Sequence, residues 1–79
     1  MIAVRVRYFQ LSRAVEEKEE IFSLDAGSHL SDLQKVINVK HPSLTYTVTL
    51  AIADGSPISP DTELKDGEEV DLLASPAGG

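Results

Sequence analysis

The residues with the clearest chemical prospect stand at the end of the sequence, Ala74-Ser75-Pro76-Ala77-Gly78-Gly79. Gly27, Gly55 and Gly67 sit where turns are expected, whereas Gly78 and Gly79 have no turn to make. An exposed α-carboxylate can attack ATP to give an acyl adenylate, a mixed anhydride activated towards nucleophiles. An enzyme that does this must receive the carboxylate in a narrow channel. Two residues without Cβ give the thinnest and most adaptable backbone for threading it, so that the terminal carbon can be approached. Pro76 stiffens the segment and lowers the cost of ordering an extended tail. The plain alternative is a frayed terminus, since chain ends are often small and polar. The domain that carries the tail decides between them.

Other chemistries are poorly supplied. The chain has no Cys, which excludes disulfides, thiolate-ligated metals and a cysteine nucleophile. His29 and His41 fall near opposite ends of an expected helix, about 18 Å apart by helical rise, so they cannot share a metal. Each is expected as a surface residue or a cap. Asp61, Glu63 and Asp66 are too sparse and irregular for a calcium loop, and no Ser–His–Asp arrangement follows from the spacing. No metal site is expected, and the chain is not expected to be an enzyme by itself.

Composition narrows the partners. The 79 residues allow one domain, and 42% hydrophobic against 25% charged residues is the balance of a folded one. Seven Lys plus Arg against thirteen Asp plus Glu give a net charge of −6. That suits a partner with a basic surface and argues against nucleic acid. No apolar run reaches the ~20 residues of a membrane span. The opening Met1-Ile2-Ala3-Val4-Arg5-Val6-Arg7 lacks the features of a signal peptide. A cytoplasmic protein without membrane contact is expected.

The elements that would position the tail can be read from periodicity. Ile2, Val4, Val6 and Tyr8 alternate with Ala3, Arg5, Arg7 and Phe9, a half-buried strand. Residues 10–18 make a short helical turn or an irregular loop, and Glu16-Glu17-Lys18-Glu19-Glu20 reads as a solvated connection. Glu20 to Leu24 is a second strand, with Phe22 and Leu24 inward, antiparallel to the first because the connection is short. After a turn at Ala26-Gly27-Ser28, Leu30, Leu33, Val36 and Ile37 recur at helical spacing; Ser28 or His29 caps this helix and Pro42 stops it. Thr45 to Ile52 alternates Tyr46, Val48, Leu50 and Ile52 with Thr45, Thr47, Thr49 and Ala51, the clearest strand signal in the chain. Asp54-Gly55 turns it into a short return strand, Ser56–Ser59, which Pro57 confines to an edge or bulge. Pro60 to Leu64 starts like a helical turn, Lys65-Asp66-Gly67 is a turn, and Glu68 to Leu73 is the last strand, with Val70 and Leu72 inward.

Strand, strand, helix, strand, short strand, strand is the order of an α+β fold of the β-grasp, ubiquitin-like kind. It implies a mixed sheet of about five strands, one main helix packed across it, and the first and last strands side by side in the centre. Residues 1–73 would form the domain and 74–79 a flexible tail. On such a domain Gly78-Gly79 is expected to be the reactive end. Ser75, Pro76 and Ala77 are expected partner contacts. Leu73 falls out of phase with Val70 and Leu72, and Leu73 and Phe9 are candidate apolar anchors for a partner.

Residues 50–79 resemble the C-terminal half of the MoaD/ThiS sulfur-carrier family, most clearly in Asp61-Thr62-Glu63-Leu64-Lys65-Asp66-Gly67-Glu68-Glu69-Val70 and the closing Gly78-Gly79. The opening strand and Leu30-Ser31-Asp32-Leu33 are consistent with that family's first strand and main helix, so the resemblance spans nearly the whole chain. The length is more similar to the small subunit of molybdopterin synthase than to the thiamine carrier. The resemblance implies that an E1-like adenylyltransferase (MoeB/ThiF-like) uses ATP to adenylate Gly79, after which sulfur transfer gives a thiocarboxylate. It further implies sulfur donation to a pterin precursor with the molybdopterin synthase large subunit (MoaE-like), and no stably bound cofactor. Leu73-Ala74-Ser75-Pro76-Ala77-Gly78-Gly79 departs from the two-proline approach common in the molybdopterin branch. A carrier for another pathway such as thiamine, a ubiquitin-like protein modifier and a non-reactive β-grasp adaptor therefore stay open.

Overall fold

Strand β1, Ile2–Phe9, turns Ile2, Val4, Val6 and Tyr8 inward, as its alternation dictates. The computed structural model describes residues 1–75; Pro76, Ala77, Gly78 and Gly79, among them the expected reactive end, lie outside the described residues. β2, Glu19–Leu24, pairs antiparallel with β1, setting Val4 opposite Phe22 and Val6 opposite Glu20. β5, Glu69–Ala74, pairs parallel with β1 on its other side. β3, Thr49–Ala53, runs antiparallel to β5, and β4, Ser56–Pro57, closes the edge. The five-stranded order is β2-β1-β5-β3-β4, with the first and last strands central. Helix α1, Leu30–Lys40, covers one face.

Local chemistry explains the joints. Asp54 and Gly55 take φ of 52° and 76°, the paired positive values that a two-residue hairpin turn needs, and Pro57 stands on the edge strand as its missing N–H requires. The Lys65-Asp66-Gly67 turn is tied to the start of β1: Gly67 N–H donates to Ala3 O at 2.8 Å, and Ala3 N–H to Asp66 Oδ1 at 2.8 Å. His29 is the N-cap of α1, and its backbone N–H donates to Asp32 Oδ2 at 2.8 Å. The segment Pro60–Leu64 makes one turn, Thr62 N–H to Ser59 O, and then pairs with the helix entry through Leu30 N–H to Thr62 O and Leu64 N–H to Ser28 O. Leu64 is thereby driven into the core. Val4, Val6, Leu33 and Val70 are completely buried at its centre. Leu11 and Val15, on a single turn after β1, are buried with them.

Three expectations need correction. The strand expected from Thr45 starts only at Thr49, because Pro42–Tyr46 forms a 3-10 helix that inserts Leu44 into the core. Within β3 the inward residues are Ala51 and Ala53; the larger Leu50 points to the uncovered face, and Tyr46 and Val48 are exposed. Val36 is half-exposed rather than part of the buried stripe. At about 100° per residue, Leu30, Leu33 and Ile37 lie within about 60° of one another, and Val36 falls about 60° beyond Leu33. Finally, β5 continues through Ala74, and Ser75 N–H donates to Val48 O at 2.9 Å. Ala74 and Ser75, grouped with the tail on sequence, are held by the sheet.

Candidate functional site

The parallel pairing of β1 with β5 brings the end of β5 beside the last residues of β1. Period-2 geometry turns Phe9, Leu73 and Leu50 to the face that α1 does not cover, and strand register sets them in one row: Phe9 opposite Leu73, Leu73 opposite Leu50. All three are partly exposed, and Val48 next to the row is 57% exposed. Of the expected anchors, Phe9 and Leu73 are thus brought together, and Leu50 and Val48 are added. Their signal was the apolar alternation of residues 46–52, which points outward rather than into the core.

A charged strip borders the row. Arg7 Nη1 lies 3.2 Å from Glu69 Oε1 and Arg7 Nε 3.4 Å from Asp71 Oδ1, while Arg5 Nη1 is 3.6 Å from Glu69 Oε2. The Arg7 guanidinium also sits 5.2 Å from the centroid of Phe9. Apart from Asp71 Oδ1, which is buried, these groups are partly solvated, so the pairs contribute little stability; they accompany the placement of Arg7 over Phe9. Ser75 is the last described residue, held by Val48 at the rim; Pro76, Ala77, Gly78 and Gly79 follow beyond the described residues.

A second polar centre lies on the covered side, where the sequence suggested only a solvated connection. Period 2 puts Glu20 on the same face as Phe22 and Leu24, and its side chain is only 7% exposed. Glu20 Oε1 accepts from Tyr8 Oη at 2.7 Å and meets His41 Nε2 at 2.5 Å, and Lys40 Nζ pairs with Oε2. Tyr8 and His41 also make an edge-to-face contact with centroids 5.8 Å apart. His41 is the C-cap of α1, but its side chain is 10% exposed rather than a surface group. Burial alone would raise the Glu20 pKa; the hydrogen bonds from Lys40, His41 and Tyr8 outweigh it and hold the carboxyl down at about 2. Burial, together with the Glu20 hydrogen bond and charge, pushes the Tyr8 phenol well above its usual range. The hydrogen bond to Glu20 raises Lys40. His29, by contrast, is exposed at the helix entry, 3.7 Å from Asp32.

A mixed five-stranded sheet crossed by one helix, with parallel central strands, defines a β-grasp, ubiquitin-like domain. The ThiS family model matches residues 6–79, and the chain belongs to that family. Among solved structures, a Pyrococcus furiosus protein assigned as molybdopterin converting factor subunit 1 is 26% identical, with a TM-score of 0.87 over 94% of this chain and 98% of that one. The complex of subunits 1 and 2 of molybdopterin-converting factor from Helicobacter pylori 26695 includes a chain that is 24% identical, with a TM-score of 0.71, covering 99% of this chain and 100% of that one. Small archaeal modifier protein 1 from Methanosarcina acetivorans is 23% identical, with a TM-score of 0.81 over 100% and 98%. Among curated protein sequences, none matches the chain. Among the described residues, no helix is long and apolar enough to cross a membrane.

Proposed function

We propose that this ThiS-family domain is a sulfur carrier whose reacting group is the Gly79 carboxylate, free in the chain as it stands or freed by removal of whatever follows. The observation that carries the reading is the join between sheet and tail: β5, central in the sheet, leads to Ser75 at its rim, beside the outward row Phe9–Leu73–Leu50, just before the Gly78-Gly79 pair. The domain serves as the handle and the tail as the reagent. An E1-like adenylyltransferase would grip the outward row while Pro76, Ala77 and Gly78 thread its channel. A carboxylate oxygen of Gly79 attacks the α-phosphorus of ATP and pyrophosphate leaves. A hydrosulfide ion then adds to the acyl carbon, AMP leaves and the S–H proton is lost, so that the chain carries a thiocarboxylate.

In this reading the pathway is molybdopterin synthesis, with this chain as the small subunit and a MoaE-like large subunit as acceptor-binding partner. The support is the 26% identical relative assigned as molybdopterin converting factor subunit 1 and the fold shared with the subunit 1–subunit 2 complex. ATP belongs to the activating enzyme, and the chain contributes no side-chain acid or base to the chemistry. The test is sulfur delivery to the pterin precursor by the thiocarboxylated chain in the presence of a large subunit. Turnover that stops when Gly79 is deleted is the expected result. A Gly79 acyl group that is activated but ends only in isopeptide bonds to protein lysines, its leaving group expelled, would move the chain to the modifier class.

A further inference from the structure

Three donor atoms converge where the end of α1 meets the sheet. Glu17 from the loop before β2, Glu20 from β2 and His41 from the C-cap of α1 each present one, and the three lie within 4.8 Å of one another. His41 Nε2 is 2.5 Å from Glu20 Oε1 and 3.6 Å from Glu17 Oε2. Glu20 and His41 are walled in by protein, at 7% and 10% exposure, while Glu17 is 42% exposed and leaves the cluster open to water on one side. We propose that this cluster is a binding site for a divalent cation of intermediate softness, Zn²⁺ above all, with Glu17, Glu20 and His41 as protein ligands and water on the open side.

The donor set selects the ion. One imidazole nitrogen and two carboxylates suit zinc and its neighbours, whereas Ca²⁺ seeks six to eight oxygens and Mg²⁺ keeps most of its water. Two carboxylates and a neutral imidazole cancel a charge of +2. With metal–ligand bonds of about 2.0–2.2 Å, ligand atoms around a tetrahedral ion stand roughly 3.3 Å apart. The His41–Glu17 separation is already near that value. The Glu20 carboxylate must retreat by somewhat under 1 Å, exchanging its hydrogen bond with His41 for the metal. Tyr8 Oη, donating to Glu20 Oε1 at 2.7 Å, helps to orient that carboxylate. Lys40, paired with the other oxygen of Glu20, is the competing cation. A bound ion would clasp the end of α1 to β2 and to the loop that leads into it, adding to the side-chain hydrogen bonds and ion pairs already there.

The test is a titration of tag-free protein with zinc chloride, followed by calorimetry and by the imidazole resonances of both histidines. One ion per chain, with the His41 ring perturbed and the His29 ring unchanged, is the expected result. Glu17→Gln, on an exposed side chain that leaves the fold intact, weakens binding at least about tenfold, since even outer partners of a metal ligand carry that much. His29→Gln leaves binding unchanged. Lys40→Gln strengthens it by removing the competing cation, an effect a purely structural ion-pair cluster would not give. No His41 response at millimolar zinc, or affinity unchanged in both Glu17→Gln and His41→Gln, overturns the proposal.

Discussion

Replacing Glu20 by Gln keeps the side chain's shape, removes its charge and turns the oxygen that faces Lys40 into a donor NH2. In the folded protein that charge accepts from Tyr8 Oη at 2.7 Å and holds His41 at 2.5 Å, inside a pocket that leaves 7% of the side chain exposed. Hydrogen bonds to a charged group contribute about 1.5–3 kcal/mol and neutral ones about 0.5–1.5, so each of the two bonds loses about 1 kcal/mol and the variant about 2 kcal/mol. At roughly 4–8 °C per kcal/mol for a domain of this size, Tm falls by about 8–16 °C. In urea, with a slope near 1 kcal/mol/M, the midpoint falls by about 2 M at unchanged slope. The measurement is made with chelator present at pH 7, beside Glu19→Gln, whose side chain is exposed and whose loss costs nothing comparable. The pH dependence carries a second reading of the same interaction. The Glu20 carboxyl is held at about 2, below its ordinary 4.5, so its contribution is complete above 4.5 and is lost as pH falls towards 2. The gap between parent and Glu20→Gln must close over that window. A loss under about 0.5 kcal/mol at pH 7, or a gap that persists at pH 2, would refute the assignment of Glu20 as a buried structural anion.

At the alkaline end the sign reverses: the Tyr8 phenol is raised above 10, so its contribution holds below pH 10 and is lost as pH rises beyond it, and Tyr8→Phe flattens that limb of the unfolding curve. Leu33→Ala, at a completely buried position under α1, costs about 3–5 kcal/mol in denaturant unfolding, a large share of what a domain this small has. Gly55→Ala, at φ 76°, costs about 1–2 kcal/mol although nothing stands within 4 Å of the new methyl, because the cost is in the backbone. Leu50→Asp and Leu73→Asp leave the fold standing and weaken the complex with the E1-like enzyme at least about tenfold, read as Kd by calorimetry, if the outward row is the grip.

Sheet and helix were legible because they are written in period. The alternation of residues 2–9 and 20–24, the Asp54-Gly55 turn and the Leu30–Leu33–Ile37 stripe each specify one element and one buried face. Residues 45–52 carry a β-branched alternation that shows one face to be apolar, but it marks neither which face the core takes nor that the strand begins only at Thr49. In β3 the core takes the alanines, leaving Leu50 and Ile52 on the other side. The 3-10 helix was hidden for a related reason: Pro42 marks the stop of α1, but the one turn that follows depends on Leu44 finding the core. The polar centre was half legible. Glu20 shares its phase with Phe22 and Leu24, which already places a carboxylate inside, yet its partners Tyr8, Lys40 and His41 come from other elements that no local pattern connects to it. Phe9 and Leu73, singled out because they break phase with the core, meet as cross-strand neighbours. The tail residues Pro76 to Gly79 lie outside the described residues, so their role rests on the sequence and on family membership.

The central claim is that Gly79 carries activated sulfur, and its most direct test is the intact mass of the chain after incubation with ATP, a competent E1-like enzyme and a sulfur source. The account predicts a mass gain equal to the exchange of one oxygen for sulfur, absent when ATP is withheld and absent from a chain lacking Gly79. An unchanged mass, with the same enzyme loading its own carrier in a parallel reaction, would contradict it and leave a β-grasp adaptor in its place.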